Sequence, residues 1–178
     1  MSPYEQVMGE DDWQRLAPVI RAIHSPGEVR GTLRIRRGTG TLARLLAWLL
    51  RLPPPGEAVE VRLLIRSEGD RMQWTRFFGA KRVRTSQQTG RGLVRESYGP
   101  FVIAFRPTRN GTGVDHVQTW AAFGAARWHV RLPALLSPCV SGSTREEAGA
   151  AYLEVEVKSP IVGRVIAYDG LVRPVAST

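Results

Sequence analysis

Apolar residues recur at every second position in run after run of this chain, and that period restricts its architecture more than any other feature. In VRGTLRIR (29–36) Val29, Gly31, Leu33 and Ile35 fall on one face, with Arg30, Thr32, Arg34 and Arg36 on the other. VEVRLLIR (59–66) repeats the pattern with Val59, Val61, Leu63 and Ile65, and YLEVEV (152–157) with Leu153, Val155 and Val157. Successive side chains of a strand point to opposite faces, so these segments read as strands with one dry and one wet face. That is the signature of an antiparallel sheet.

Residues 71–131 read as a meander with strands at 71–78, 81–87, 92–97, 100–106, 113–121 and 126–131. Turn signals separate them: FGAK, QTGRG, YGP and RNGTG, the last holding the hairpin pair Asn110-Gly111. A final strand is expected at 163–172. Helices are few. Trp13, Leu16, Ile20 and Ile23 have helical spacing but Pro18 interrupts them, which predicts a turn and then a short helix from Pro18. TLARLLAWLLR (41–51) predicts a second helix, capped by Thr39 or Thr41 and stopped by Pro53-Pro54-Pro55. LPALL (132–136) predicts one more turn, and 137–149 the most mobile loop. The expected fold is mainly β (α+β): a strongly curved antiparallel sheet or barrel of about nine strands with two or three short helices, in a single domain over 1–178.

The 178 residues suffice for one core. The polar opening MSPYEQVMGEDDWQRL has no apolar stretch of the kind a secretory leader carries, and no run approaches a membrane span. A cytoplasmic protein of bacterial type is the expectation. Cys139 is the one cysteine, and SPCVSG around it holds no activating neighbour, so it reads as a small structural residue. The net charge of +9 and pI near 10.9 would suit an anionic partner. The basic residues, however, are 23 Arg and only 2 Lys, spread along the chain, as GC-rich codon usage would give. Nucleic acid is therefore not the expected partner.

The candidate sites follow from the same alternation. On a strand at 71–78, Trp74, Arg76 and Phe78 share a face, with Met72 extending it. An arginine there has three available environments. It can pair inside with Glu96, or receive the acidic head of an apolar ligand with help from Tyr98 or Tyr168. Or it can lie outside, with Phe77 in the core. Arg36, Arg37, Gly38 and Gly40 form a possible anion site. Gly38, Gly40 and Ala43 match G-x-G-x-x-A between a strand and a helix. The preceding strand alternates with arginine instead of being continuously apolar, which favours a glycine turn that lets the helix pack closely on the sheet and argues against a dinucleotide site. Helix 41–51 carries only Arg44 and Arg51 on an otherwise apolar surface. It is expected to be a core helix, with a membrane-interface helix anchored by Trp48 as the alternative. His24 suits a helix C-terminus, His129 the outside, and His116 shares a face with Gln118 and Trp120. No metal-ligand spacing, nucleophile elbow or phosphate loop is present, so neither metal nor cofactor is expected.

Several fragments in order resemble the bacterial domain-of-unknown-function family 4166: LAPVIRAIHSP, RGTLRIRRGTG, WTRFFGAKRVRTS, RESYGPFVIAF, RWHVRLPALLSP and VKSPIVGRVIAYDGLV. The resemblance runs over nearly the whole chain. It picks out His24, Arg37, Gly38, Trp74, Arg76, Phe78, Glu96, Gly99, Pro100, Pro160, Gly163, Tyr168 and Gly170 as matching the family pattern and assigns them no role. Members of that family stand alone or are joined to NAD(P)-binding dehydrogenase-like or epimerase-like domains, so the resemblance implies an oxidoreductase as a candidate partner.

The leading functional expectation is non-catalytic binding of a hydrophobic small molecule with an acidic head group, lined by Trp74, Arg76, Phe78, Glu96, His116, Trp120 and Tyr168. The alternative is an accessory module for an NAD(P)-dependent oxidoreductase or a membrane surface. Third is a small hydrolase or isomerase using His116 or Glu96.

Overall fold

The alternating segments pair into a sheet that closes on itself. The computed structural model describes residues 1–125 and 128–175. Its strands are β1 (Gly27–Arg37), β2 (Gly56–Glu68), β3 (Arg71–Phe78), β4 (Lys81–Gly90), β5 (Leu93–Tyr98), β6 (Phe101–Asn110), β7 (Gly113–Ala125), β8 (Trp128–Arg131), β9 (Cys139–Glu147), β10 (Ala150–Ser159) and β11 (Gly163–Pro174). The order is β6-β5-β4-β3-β2-β1-β11-β10-β9-β7-β8, and β6 also pairs with β7. Ten antiparallel strands thus form a closed barrel, and β8 is an eleventh strand added to β7. Strand β7 serves both because its outer edge is divided: Val114–Val117 pair with β9, Ala122–Ala125 with β8. Closure removes the unpaired edges that an open sheet would expose.

The segment 137–149, expected to be the mobile loop, is mostly strand β9. Its CVSGSTREE sequence has no apolar alternation to announce a strand. Backbone pairing to β10 along the whole strand and to β7 at four positions holds it in place. The expected strand 126–131 is seen as β8 from Trp128; residues 126 and 127 lie outside the described residues.

Four short helices close the two ends. Helices α1 (Pro3–Met8), α2 (Glu10–Gln14) and α3 (Pro18–Ile23) plug the end where β1 begins and β11 ends. Helix α1 was not foreseen, although its start carries a capping box: Ser2 accepts from the Glu5 N–H and Glu5 accepts from the Ser2 N–H. It drives Tyr4 into the barrel, while Trp13, Leu16, Ile20 and Ile23 complete the plug. Helix α3 begins at Pro18 as the sequence predicts.

Helix α4 (Thr41–Leu49) lies at the opposite end, against β1 and β11. Gly40 is its N-cap and no side chain caps it, so neither Thr39 nor Thr41 takes that role. Nor is it a core helix. Ala43 and Ala47 alone are buried, whereas Leu42, Leu45, Trp48 and Leu49 are exposed. The small residues make the contact because the helix sits close to the strand ends. Gly38 allows that approach: a Cβ there would lie 1.9 Å from the Arg164 carbonyl oxygen and 2.7 Å from the Ala43 Cβ. Gly38→Ala is therefore expected to lower unfolding free energy by about 1–3 kcal/mol, the range for overpacking a filled site. Urea denaturation checks this, and an unchanged midpoint would contradict the packing. Beyond α4, Arg37 donates to the carbonyls of Leu52 and Pro53, and the Tyr98 hydroxyl donates to the Leu50 carbonyl, 2.5 Å away. These bonds draw the α4–β2 connection from β1 towards β5. No helix among the described residues is long and apolar enough to cross a membrane.

Candidate functional site

Register decides which residues meet inside the barrel. Cross-strand partners share a face, so Leu63 on β2, Arg76 on β3 and Val83 on β4 form one inward row. Ile65, Trp74 and Thr85 form the next row towards the plug. Phe78 lies on the same face at the α4 end. Arg76 is thus inside and Phe77, opposite Arg62 and Arg82, is not.

Arg76 is paired there. Its Nη1 donates to Glu96 Oε1 at 3.1 Å and to Thr85 Oγ1 at 2.7 Å, and its guanidinium lies 5.0 Å from the centre of the Trp74 ring. Gln87 donates to the other Glu96 oxygen at 2.9 Å. Burial alone would push the Glu96 carboxyl up; the Arg76 charge and the hydrogen bonds from Gln87 and Thr85 outweigh it and hold it below the usual range. Burial likewise works against the charge on Arg76, and the Glu96 carboxylate together with Tyr168 and Tyr4 more than offsets it. The pair is ionised and carries no net charge.

Closer to the plug stands an aromatic group of Tyr4, His24, Trp74, Phe105 and His116, with ring centres 4.3–6.4 Å apart. His116 Nδ1 lies 3.3 Å from the Gly142 carbonyl oxygen, which can only accept, so Nδ1 bears the proton. Nε2 therefore accepts from the Tyr4 hydroxyl, 3.0 Å away. His24 forms the C-cap of α3, and its Nδ1 donates to the Ile20 carbonyl at 2.8 Å. Burial, with His116 nearby, lowers the His24 pKa to about 3, and burial lowers that of His116 too. Both imidazoles are neutral at pH 7.

Two buried polar atoms in this region have no partner within the described chain: the indole N–H of Trp74 and the side-chain oxygen of Gln87. They belong to diagonal neighbours, since Thr85 lies opposite Trp74 and Gln87 is two residues further on the same face. Both atoms are sealed from solvent inside the packed wall.

Exposure inside the barrel is uneven. Val29, Leu33, Ile65, Met72 and Val172 are almost fully buried, with Ile35, Phe78 and Ile166 at the α4 end buried as well. Leu63, Val83, Val157 and Tyr168 are only partly so, and the side chains of Arg76 and Glu96 keep 17% and 23% exposure. Tyr168 reaches across to Phe78, ring centres 5.9 Å apart, and burial, the first of several influences, raises its pKa.

Of the residues proposed from sequence, the structure brings Trp74, Arg76, Phe78, Glu96, Tyr168 and His116 to the barrel interior. Trp120 is not among them. Ala104 pairs with Trp120 but Phe105 with Gln118, so Thr119 is an extra residue in β7. This bulge turns Trp120 to the opposite face from Gln118 and His116. There it stands 5.7 Å from the Arg95 guanidinium and 5.2 Å from that of Arg131. Tyr98 is drawn off to Leu50. The possible anion site is divided too. Arg36, on the outer face, pairs with Asp169 at 2.6 Å, beside Arg34 and the Tyr152 hydroxyl. Arg37 is turned to the Leu52 and Pro53 carbonyls. Gly38 is a packing glycine, and Gly40 the N-cap of α4. Cys139 and His129 are exposed.

Tyr4, Thr85 and Gln87 were missed. The alternation of Val83, Thr85 and Gln87 could have flagged the last two as polar residues on a dry face, and the S-x-x-E box could have flagged α1.

The model of the family described as domain of unknown function (DUF4166) matches residues 16–172. That span takes in α3, α4 and nearly all of the barrel, and begins after Tyr4. No curated protein and no solved structure matches the chain. The chain belongs to the DUF4166 family.

Proposed function

We propose that this DUF4166 chain binds a small apolar molecule in the α4-side half of its barrel, without catalysing a reaction on it. One observation carries the reading: Arg76 and Glu96 point into a closed barrel and yet retain 17% and 23% exposure. Apolar walls with a few placed polar groups are the usual make-up of a small-molecule site. Here the walls are Leu63, Phe78, Val83, Val157 and the ring of Tyr168.

The polar end of the occupant is neutral. An acidic head on Arg76 was the first expectation, but Glu96 already supplies the countercharge, and a second carboxylate would be left buried without one. A neutral group that shares the exposed edge of the Arg76–Glu96 pair, accepting from the guanidinium or donating to the carboxylate, needs no countercharge. An alcohol or a primary amide has that chemistry. A catalytic role for His116 has less support, because both its ring nitrogens are engaged.

Titration with the neutral apolar fluorophore N-phenyl-1-naphthylamine tests the reading. Saturable enhancement is expected. Val83→Trp and Val157→Phe, which fill the chamber from strands on opposite walls, should each weaken it about tenfold or more, the equivalent of some 1.4 kcal/mol. Cooperative thermal unfolding of both variants shows that they are folded. Failure of the wild-type chain to enhance the probe, or equal enhancement by both filled variants, would sink the proposal.

A further inference from the structure

Helix α4 carries its residues the wrong way round for a helix that merely packs on a barrel. Ala43 and Ala47 face the protein; Leu42, Leu45, Trp48 and Leu49 are 57%, 56%, 74% and 65% exposed. Leu135, Leu136 and Ile161, in connections at the same end of the barrel, are also more than half exposed. Exposed apolar side chains gathered on one helix face mark an interaction site.

The charges around it favour one kind of partner. Residues 38–56 contain Arg44 and Arg51 and no acid. With Lys81 and Arg82 at the neighbouring start of β4, they make no ion pair among the described residues. Beside α4 lies an open hollow of about 560 Å³, lined by Trp48, Leu49, Arg51 and Lys81 among others. Arg51 is held there at a backbone cost. The Leu52 N–H bonds to the Ala47 carbonyl and the Arg51 N–H to that of Trp48, the helix-ending arrangement whose left-handed residue is ordinarily glycine. Here that residue is Arg51, with φ of 51°. A second copy of α4 would bring like charges together. An anionic bilayer would meet the arginines with phosphate and the leucines and Trp48 with its apolar boundary.

We propose that α4 and its flanking hollow dock this end of the barrel on an anionic lipid surface, with Arg51 and Lys81 receiving a lipid phosphate and Trp48 entering the interface. The docking stands independently of the chamber, although it would bring the α4 end of the barrel to the membrane.

Flotation of the full chain with lipid vesicles tests this. The chain should float with vesicles of phosphatidylcholine mixed with phosphatidylglycerol, less so as salt is raised, and stay behind with phosphatidylcholine alone. Arg51→Gly should weaken partitioning about fivefold, the effect of one basic residue near an anionic surface, while leaving the melting temperature equal or higher. Trp48→Asp should weaken it about tenfold or more with the fold intact, its side chain being free of the core. No flotation with anionic vesicles, or undiminished flotation of Trp48→Asp, overturns the proposal. So does a concentration-dependent dimer in sedimentation that Trp48→Asp abolishes, which would assign the face to a second copy of the chain.

Discussion

Arg76→Met is expected to lower unfolding free energy by about 3–5 kcal/mol, the cost of leaving one member of a buried ion pair without its partner. Glu96 would keep Gln87 and Thr85 as hydrogen-bond donors but lose the charge that holds it ionised. It would answer by taking up a proton or by destabilising the fold. The lost contact of the guanidinium with the Trp74 ring is smaller, about 0.5–2 kcal/mol. Adding Glu96→Gln should therefore return a large part of the loss, because a neutral amide needs no countercharge. The double-mutant cycle should show coupling of at least about 1 kcal/mol. Chemical denaturation of the four proteins measures it. If Arg76→Met instead unfolds like the wild type but no longer takes up the fluorophore, Arg76 serves an occupant and not Glu96.

Acid should unfold the protein early, through its histidines. In the fold His24 titrates near pH 3, against an ordinary value of 6.5. Between those values the unfolded chain holds a proton that the folded chain refuses, so stability is complete above about pH 6.5 and drains as the pH falls. The slope is roughly 1.4 kcal/mol per pH unit for one such group. His116, lowered for the same reason, adds a slope of the same sign. Glu96 adds a further loss at lower pH, as it protonates below the usual carboxylate range. Around His24 the neighbours favour refusal of the proton, since Tyr4 and Trp74 supply no negative charge; at His116 burial outweighs the opposing pull of Glu96 and Asp115. Urea midpoints should hold from pH 7.5 to about 6.5 and fall steadily from there to 4.5. His24→Gln should flatten the slope even if it lowers stability throughout. A flat wild-type profile would mean that these rings are hydrated.

Much of the barrel was legible in the sequence because a period of two both names a strand and assigns its faces. Leu33, Val61, Trp74 and Phe78 all fall where alternation puts them. Closure was less legible. It depends on long-range pairing of β1 with β11 and on the pairing of β7 with β9, and β9 has no apolar pattern of its own. Trp120 shows how one inserted residue defeats the period: Thr119 reverses every face beyond it. Helix α4 misled for another reason. Its leucines and tryptophan suggested a buried helix, but close approach to the strand ends selected the two alanines for contact. The choice among environments for Arg76 needed geometry, because Glu96 is twenty residues away and reaches it only across β4.

The chamber proposed for a neutral apolar molecule lies within the intact barrel. Native mass spectrometry of the intact chain tests it most directly. A discrete mass above that of the chain is expected, removed by organic extraction, with uptake of one equivalent of N-phenyl-1-naphthylamine by the extracted protein but not by Val83→Trp. The bare chain mass at every stage, including after incubation with that fluorophore, would contradict it.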